Sequence, residues 1–251
     1  MKRLFFGVEV SAPWPETAPT GRILQPEMRH MTLAFLGDVD EEAALQIQLP
    51  DLPFGGVGFL NKILFLPPRK SHVVAYHAKL FDHKLQEIQK WLQEQLTGLH
   101  YKIDTRPFLP HVTVARSPFD SKGWKKSFQP LPFFWHKIHL YESVGNLTYI
   151  PILTKKYLPP FEEISHTADL AFLIRGENHQ ALFYHALAAL VFHHPPLLAH
   201  VEEENPENLD QVIQSLNRVL SRADAAAGVP FKAVSYHGTY HNQEWEMIVD
   251  V

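Results

Sequence analysis

One short phrase occurs twice in this chain, as His30-Met31-Thr32-Leu33 and as His111-Val112-Thr113-Val114, each followed by an alanine. An imidazole titrates near neutrality, so one of two can accept a proton from water while the other donates to a leaving oxygen. A threonine hydroxyl can donate to a phosphate oxygen as charge builds there. On a β-strand alternate side chains share a face, so each His projects with its Thr while the residues between them enter a core. Two such strands across a cleft would gather two imidazoles and two hydroxyls, which is equipment for acid–base chemistry on a phosphate ester. A lone His-x-Thr says little among 16 histidines; the simpler reading of either copy is a histidine on a strand. The information lies in the repetition.

The elements that must carry these phrases follow from periodicity and punctuation. Residues 3–10, 30–36, 73–78, 135–143 and 149–157 read as strands, and 57–66 as a strand pair interrupted by Gly58 and Asn61. Residues 11–27 hold four prolines and read as a loop. Asp40 is a candidate N-cap, with Glu41 and Glu42 in the first turn of a helix. The clearest helix is 81–96, where Phe81, Leu85, Ile88 and Leu92 share a face before Gly98. Pro107-Phe108-Leu109-Pro110 is a stiff entry into the second phrase. Pro159-Pro160 is the best domain boundary, giving segments 1–160 and 161–251. The second has a strand pair within 161–174, helices over 180–192 and 208–220, and strands at 231–236 and 245–251. Strands and helices mix without strict alternation, which predicts an α+β fold.

Composition removes several function classes. Forty-five per cent hydrophobic and 20% charged residues describe an ordinary globular protein. A net charge of −4 argues against broad electrostatic capture of nucleic acid, so any such contact should use a local basic patch and a specific terminus. Cysteine is absent, which removes thiolate catalysis and zinc–cysteine sites and suits a reducing cytoplasm. The first residues hold too short an apolar run for a signal peptide, and no stretch reaches the roughly 20 apolar residues of a spanning helix. The expectation is a cytoplasmic protein with no membrane partner.

The flanks of the two phrases agree with each other. Lys2-Arg3-Leu4-Phe5-Phe6-Gly7-Val8-Glu9 precedes the first and Phe108-Leu109-Pro110 the second, while Tyr141-Glu142-Ser143, Gly145 and Tyr149 close the same segment. Together these resemble the two-histidine (2H) phosphoesterases, most nearly their LigT-like branch of RNA 2′,3′-cyclic phosphodiesterases, over about residues 1–160. The resemblance implies a bilobal fold, two antiparallel sheets related by a pseudo-two-fold around a central cleft with helices outside. It implies His30 and His111 as the acid–base pair, without saying which is the base, and ring opening of an RNA 2′,3′-cyclic phosphate end to a 2′-phosphate. No metal is required for that step. Thr32 and Thr113 are candidate phosphate contacts. The family often has a basic residue where Arg116 stands, but regular alternation puts Arg116 on the face opposite His111, so a bulge or a strand end is needed; a surface ion pair is the alternative. Phe35 and Phe108 could stack a terminal base, with core packing the simpler reading for each. Lys122, Lys125 and Lys126 around Trp124 form a basic, aromatic cluster, either an RNA contact or a solvated loop.

After Pro160, Glu163-Ile164-Ser165-His166-Thr167-Ala168-Asp169-Leu170 resembles the opening of the archease family, and residues 231–238 with 245–251 are similar to its close. That resemblance implies a small α+β domain assisting an RNA-splicing ligase, with Asp169 and Asp250 as candidate ligands of Ca²⁺ or Mg²⁺ and Lys232 as a lesser functional candidate. The segment is shorter than the family, and neither Asp210 nor Asp224 sits in the context of the missing internal carboxylate. A degenerate domain without metal is the alternative. His193, His194, His237 and His241 read as ordinary surface or core residues, and Glu202-Glu203-Glu204 as a solvated loop. Two other functions stay open: an adaptor that holds an RNA end for a ligase without turning it over, and 2′–5′ RNA ligation in the same cleft.

Overall fold

Strand-forming runs that alternate between core and cleft dominate the first 156 residues. The structure, a computed structural model, describes residues 1–102, 104, 106–165, 169–235 and 238–251. In chain order these form β1 (Lys2–Glu9), β2 (Arg22–Ile23), β3 (His30–Val39), α1 (Glu41–Leu45), β4 (Gly56–Leu66), β5 (Val73–Leu80), α2 (Lys84–Gly98), β6 (His111–Arg116), α3 (Ser121–Ser127), β7 (Leu131–Trp135), β8 (Lys137–Gly145) and β9 (Thr148–Lys156). The expected loop 11–27 contains the two-residue β2, the expected pair 57–66 is the single bulged strand β4, and the lysine cluster 122–126 lies on the helix α3.

The strands form one antiparallel path in the order β7-β4-β5-β6-β3-β1-β8-β9, with β2 added against β6. This differs from two separate sheets. Two four-stranded halves are joined where the edge of one, β3, meets the edge of the other, β6, through the single pairing of Met31 with Val112. The expected two lobes are therefore halves of a continuous sheet, and the two repeated phrases lie on the strands at the join.

Helices cover the outer face. Asp40 caps α1, its Oδ1 accepting from the Ala43 N–H at 3.0 Å. α2 packs on β3 and buries Leu85, Ile88, Leu92 and Leu96, one apolar stripe at helical spacing. Phe81 does not belong to that stripe. It precedes the helix, and its ring stacks at 4.2 Å on Tyr184 of the C-terminal segment.

That segment contains β10 (Phe161–Ile164), β11 (Leu170–Arg175), α4 (His179–His193), α5 (Leu209–Ala227), β12 (Ala233–Val234) and β13 (Glu244–Asp250). Its strands form a second antiparallel sheet, β10-β11-β13-β12. α4 is buried on nearly every side, because it lies between this sheet, α5 and the strands β4 and β7. Asn178 and Asn208 cap α4 and α5 through side-chain oxygens. Val57 and Phe59 of β4 join the C-terminal core. At the junction the buried Lys84 ammonium donates to the Gly55 carbonyl at 3.2 Å and pairs with Glu177 at 3.0 Å. Among the described residues no helix is long and apolar enough to cross a membrane.

Candidate active site

The pairing of Met31 with Val112 decides the geometry of the cleft. These are the middle residues of the two phrases, and both are fully buried. In an antiparallel pair that register sets His30 toward Thr113 and Thr32 toward His111, all four on the face opposite the core. His30 and His111 are then diagonal neighbours, about 7–8 Å apart in a regular ladder and somewhat closer at Cβ. Two imidazoles so spaced can flank one tetrahedral group. All four side chains line a cleft of about 1090 Å³.

Each phrase ends in a bulge at the same position. Opposite β1, Phe6 pairs with Ala34 and Gly7 with Thr32, which leaves Leu33 as the extra residue. Opposite β5, Val74 pairs with Ala115 and Ala75 with Thr113, which leaves Val114 extra. A bulge shifts the alternation by one residue. Leu33 with Ala34, and Val114 with Ala115, are accordingly buried in succession. The next residues, Phe35 and Arg116, return to the cleft and line it. Arg116 thus shares a face with His111 and Thr113 through the bulge its placement required. Phe35 is not a core residue: it is 41% exposed, and the Arg3 guanidinium lies 5.1 Å from its ring centroid. Phe108 lines the cleft while packing against the core.

The two imidazoles are anchored alike and housed differently. His30 Nδ1 lies 2.8 Å from the Met28 carbonyl, and His111 Nδ1 lies 2.7 Å from the Leu109 carbonyl. A carbonyl only accepts, so each Nδ1 carries the hydrogen and each Nε2 is left for the cleft. His30 is buried under an aromatic cage of Phe5 at 4.8 Å, Tyr141 at 5.3 Å and Tyr149 at 4.6 Å between ring centroids. Burial pushes its pKa down to about 4; the Met28 carbonyl opposes the shift, and the charges of His111, Arg116 and His139 add to it. His111 is half-buried in the open cleft.

Several residues of this site carry no individual role in the sequence reading, although Gly7 and Glu9 stand in the quoted flank of the first phrase. Behind the cage, Glu9 is held down to about 2 by the neighbouring His139, whose Nε2 lies 3.5 Å away, against its burial and with help from Lys137, whose ammonium lies 2.7 Å away. Gly7 faces His30 across the strands: a Cβ there would lie 3.0 Å from the Met31 carbonyl oxygen and 3.5 Å from the His30 ring. Arg3, Arg22, Arg106 and Arg116 line the cleft, and Asp104, which is bonded to Arg106, is the one acid among the described residues that line it. A cationic cleft in a chain of net charge −4 is a local property, invisible in the composition.

The remaining candidates lie elsewhere. Lys122, Lys125 and Lys126 do not line the cleft, and Trp124 is buried beneath them, donating to the Thr20 carbonyl. Asp250 ends β13 and its Oδ1 accepts from the Ser235 hydroxyl at 3.0 Å. Asp169 immediately precedes β11, the neighbour of β13. His166–Ala168 and Tyr236–His237 of the quoted motifs lie outside the described residues. Among the described residues no group of three or more His, Asp or Glu side chains could hold a metal ion. Two carboxylates alone fall short of the six to eight oxygens Ca²⁺ takes. Glu202, Glu203 and Glu204 pair with Arg222, Lys79 and Arg218, so this loop is pinned by cations.

No family model matches the chain. It is 30% identical over 98 residues to the RNA 2′,3′-cyclic phosphodiesterase of Methanocaldococcus jannaschii, a match covering 39% of this chain and 56% of that protein. It is also 30% identical over 98 residues to the RNA 2′,3′-cyclic phosphodiesterase of Geobacillus stearothermophilus, covering 35% of this chain and 29% of that protein. The chain thus spans about half of the first relative and under a third of the second. Similar solved structures include Escherichia coli LigT complexed with 3′-AMP, with 22% identity, a TM-score of 0.47 and coverage of 62% of this chain and 98% of LigT. A Thermus thermophilus protein has 20% identity and a TM-score of 0.45, with coverage of 61% of this chain and 97% of its own.

Proposed function

We propose that this protein hydrolyses RNA 2′,3′-cyclic phosphate ends to 2′-phosphomonoesters, with His30 and His111 as the acid–base pair. The observation that carries the reading is the quartet around the Met31–Val112 pairing, with both Nδ1 atoms tied to backbone carbonyls. In the reaction, water attacks phosphorus and loses a proton to one Nε2. The bond from phosphorus to O3′ breaks, and the other imidazolium gives its Nε2 proton to O3′. The products are a 2′-phosphate and a 3′-hydroxyl. Thr32 and Thr113 donate to the non-bridging oxygens as their charge grows. Phe35, beside Arg3, offers an exposed ring on which the terminal base can stack. The names of the two relatives support this choice of substrate.

The proposal extends to the C-terminal segment as an archease-like accessory to an RNA-splicing ligase. It rests on the motif likeness at residues 163–170 and 231–238. Asp169 and Asp250 would supply only part of the oxygen set of a Ca²⁺ or Mg²⁺ ion there, and no step of the hydrolysis depends on one.

The test is incubation with an oligoribonucleotide ending in 2′,3′-cyclic phosphate. The expected product is a 2′-phosphate end, formed equally with and without EDTA. His30→Ala and His111→Ala should each lose about 10²–10⁴-fold in kcat. Binding without turnover by the wild-type protein would favour the adaptor reading, and full activity in both variants would eliminate the two-histidine mechanism.

A further inference from the structure

The shortest strand of the sheet places two like charges side by side. β2 consists of Arg22 and Ile23, and it pairs with β6 so that Arg22 stands opposite Arg116. Directly opposed residues project from the same face with Cβ atoms about 4.5–5.5 Å apart, and like charges so placed are destabilising. Both arginines line the cleft. Neither takes part in any ion pair between described residues. The buried Nε of Arg116 has no hydrogen-bond partner.

The strand is nonetheless held firmly in this arrangement. On one side of it, the Thr20 carbonyl accepts from the Trp124 indole at 3.1 Å. On the other, the Leu24 N–H donates to the Val114 carbonyl at 2.9 Å, and the Leu24 carbonyl accepts from Arg29 Nε at 3.0 Å. A repulsive pair fixed in place from both sides is what an anion between the guanidiniums would turn into attraction. Its position says which anion. Arg116 lies three residues beyond Thr113, roughly 7–10 Å along the strand. One phosphate held by the histidine–threonine quartet leaves room there for the next phosphate of the same chain.

We propose that Arg22, with Arg116, is a second anion subsite that grips the internucleotide phosphate adjoining the cyclic end. This rests on the hydrolytic reading above and deepens it: the substrate is a polynucleotide end and not a free cyclic mononucleotide. Arg22 is the discriminating member, since Arg116 stands between it and the quartet.

The experiment compares kcat/KM for a dinucleotide ending in 2′,3′-cyclic phosphate with that for the same dinucleotide carrying a neutral methylphosphonate linkage. The expected ratio for the wild-type protein is about 10–100, the value of a hydrogen-bonded charge contact. Arg22→Gln should bring the ratio close to one, and Arg22→Lys should keep part of it. A wild-type ratio near one, or an unchanged ratio in Arg22→Gln, overturns the subsite and leaves the hydrolysis standing. No turnover of either dinucleotide by the wild-type protein overturns the hydrolytic reading and the subsite with it.

Discussion

The buried imidazole of His30 makes a prediction that reaches both activity and stability. Its pKa falls from the ordinary 6.5 to about 4 because the aromatic cage withholds water from the charged ring. At 1.36 kcal/mol for each pH unit, charging His30 in the folded protein costs about 3 kcal/mol more than in the unfolded chain. Above pH 6.5 both states hold it neutral and it contributes nothing to pH dependence. Between pH 6.5 and 4 the unfolded chain binds the proton and the folded one does not, so stability falls as pH falls. At pH 5 the loss is roughly 2 kcal/mol, and it levels off below pH 4. His185, fully buried and pushed down to about 3, adds a loss of the same sign. The assay must therefore be differential: urea unfolding of the wild-type protein and His30→Gln at pH 7.5 and pH 5. The wild-type protein should lose about 2 kcal/mol more than the variant. In turnover, with His30 taken as the base, the acid limb of kcat/KM reports the free protein and should lie near pH 4. An equal loss of stability in both proteins, together with an acid limb near 6.5, would refute the buried, neutral His30.

Three further substitutions test the geometry. Thr32→Ala and Thr113→Ala should each lower kcat with little change in KM, at roughly 3 kcal/mol or less of transition-state stabilisation, because the hydroxyls act as charge develops; steady-state kinetics separates the two constants. Gly7→Ala puts a methyl 3.0 Å from the Met31 carbonyl oxygen and against the His30 ring. It should cost about 1–3 kcal/mol in thermal or urea unfolding, as overpacking does, and reduce kcat by shifting His30.

The repeated phrase was legible because period-2 alternation and a pair of identical residue types are local facts. The cleft contacts were not, and the reason is specific. A bulge is one extra residue, and nothing in Thr32-Leu33-Ala34 or Thr113-Val114-Ala115 distinguishes a bulged run from a regular one until the partner strand is known. Alternation therefore gives the wrong face for Arg116, and hydrophobicity alone gives a core position for Phe35. Arg22 is further out of reach: a two-residue strand has no periodicity, and its role comes from a partner 94 positions away. The stripe over 81–96 makes the helix readable, yet Phe81 fits the same stripe from outside the helix, because packing against Tyr184 has the same sequence signature as packing under a helix. The lysines of α3 stand together in sequence but do not line the cleft, whereas the arginines that line it come from β1, β2, β6 and the segment before β6.

The backbone treats the two phrases as equals, and the surroundings do not. Both histidines enter from a carbonyl two residues earlier, both threonines follow, and both bulges fall three residues after the histidine. Two identical imidazoles would titrate together, and at any pH the pair would be mostly both neutral or both charged, or statistically mixed. Acid–base catalysis needs one of each. In the proposed reaction the symmetry of the sheet is what would bring both Nε2 atoms to one phosphate. The cage of Phe5, Tyr141 and Tyr149 then breaks it by drying one ring while the other stays in the open cleft. A substitution that opens the cage should therefore disturb the division of protons between the histidines before it disturbs their positions.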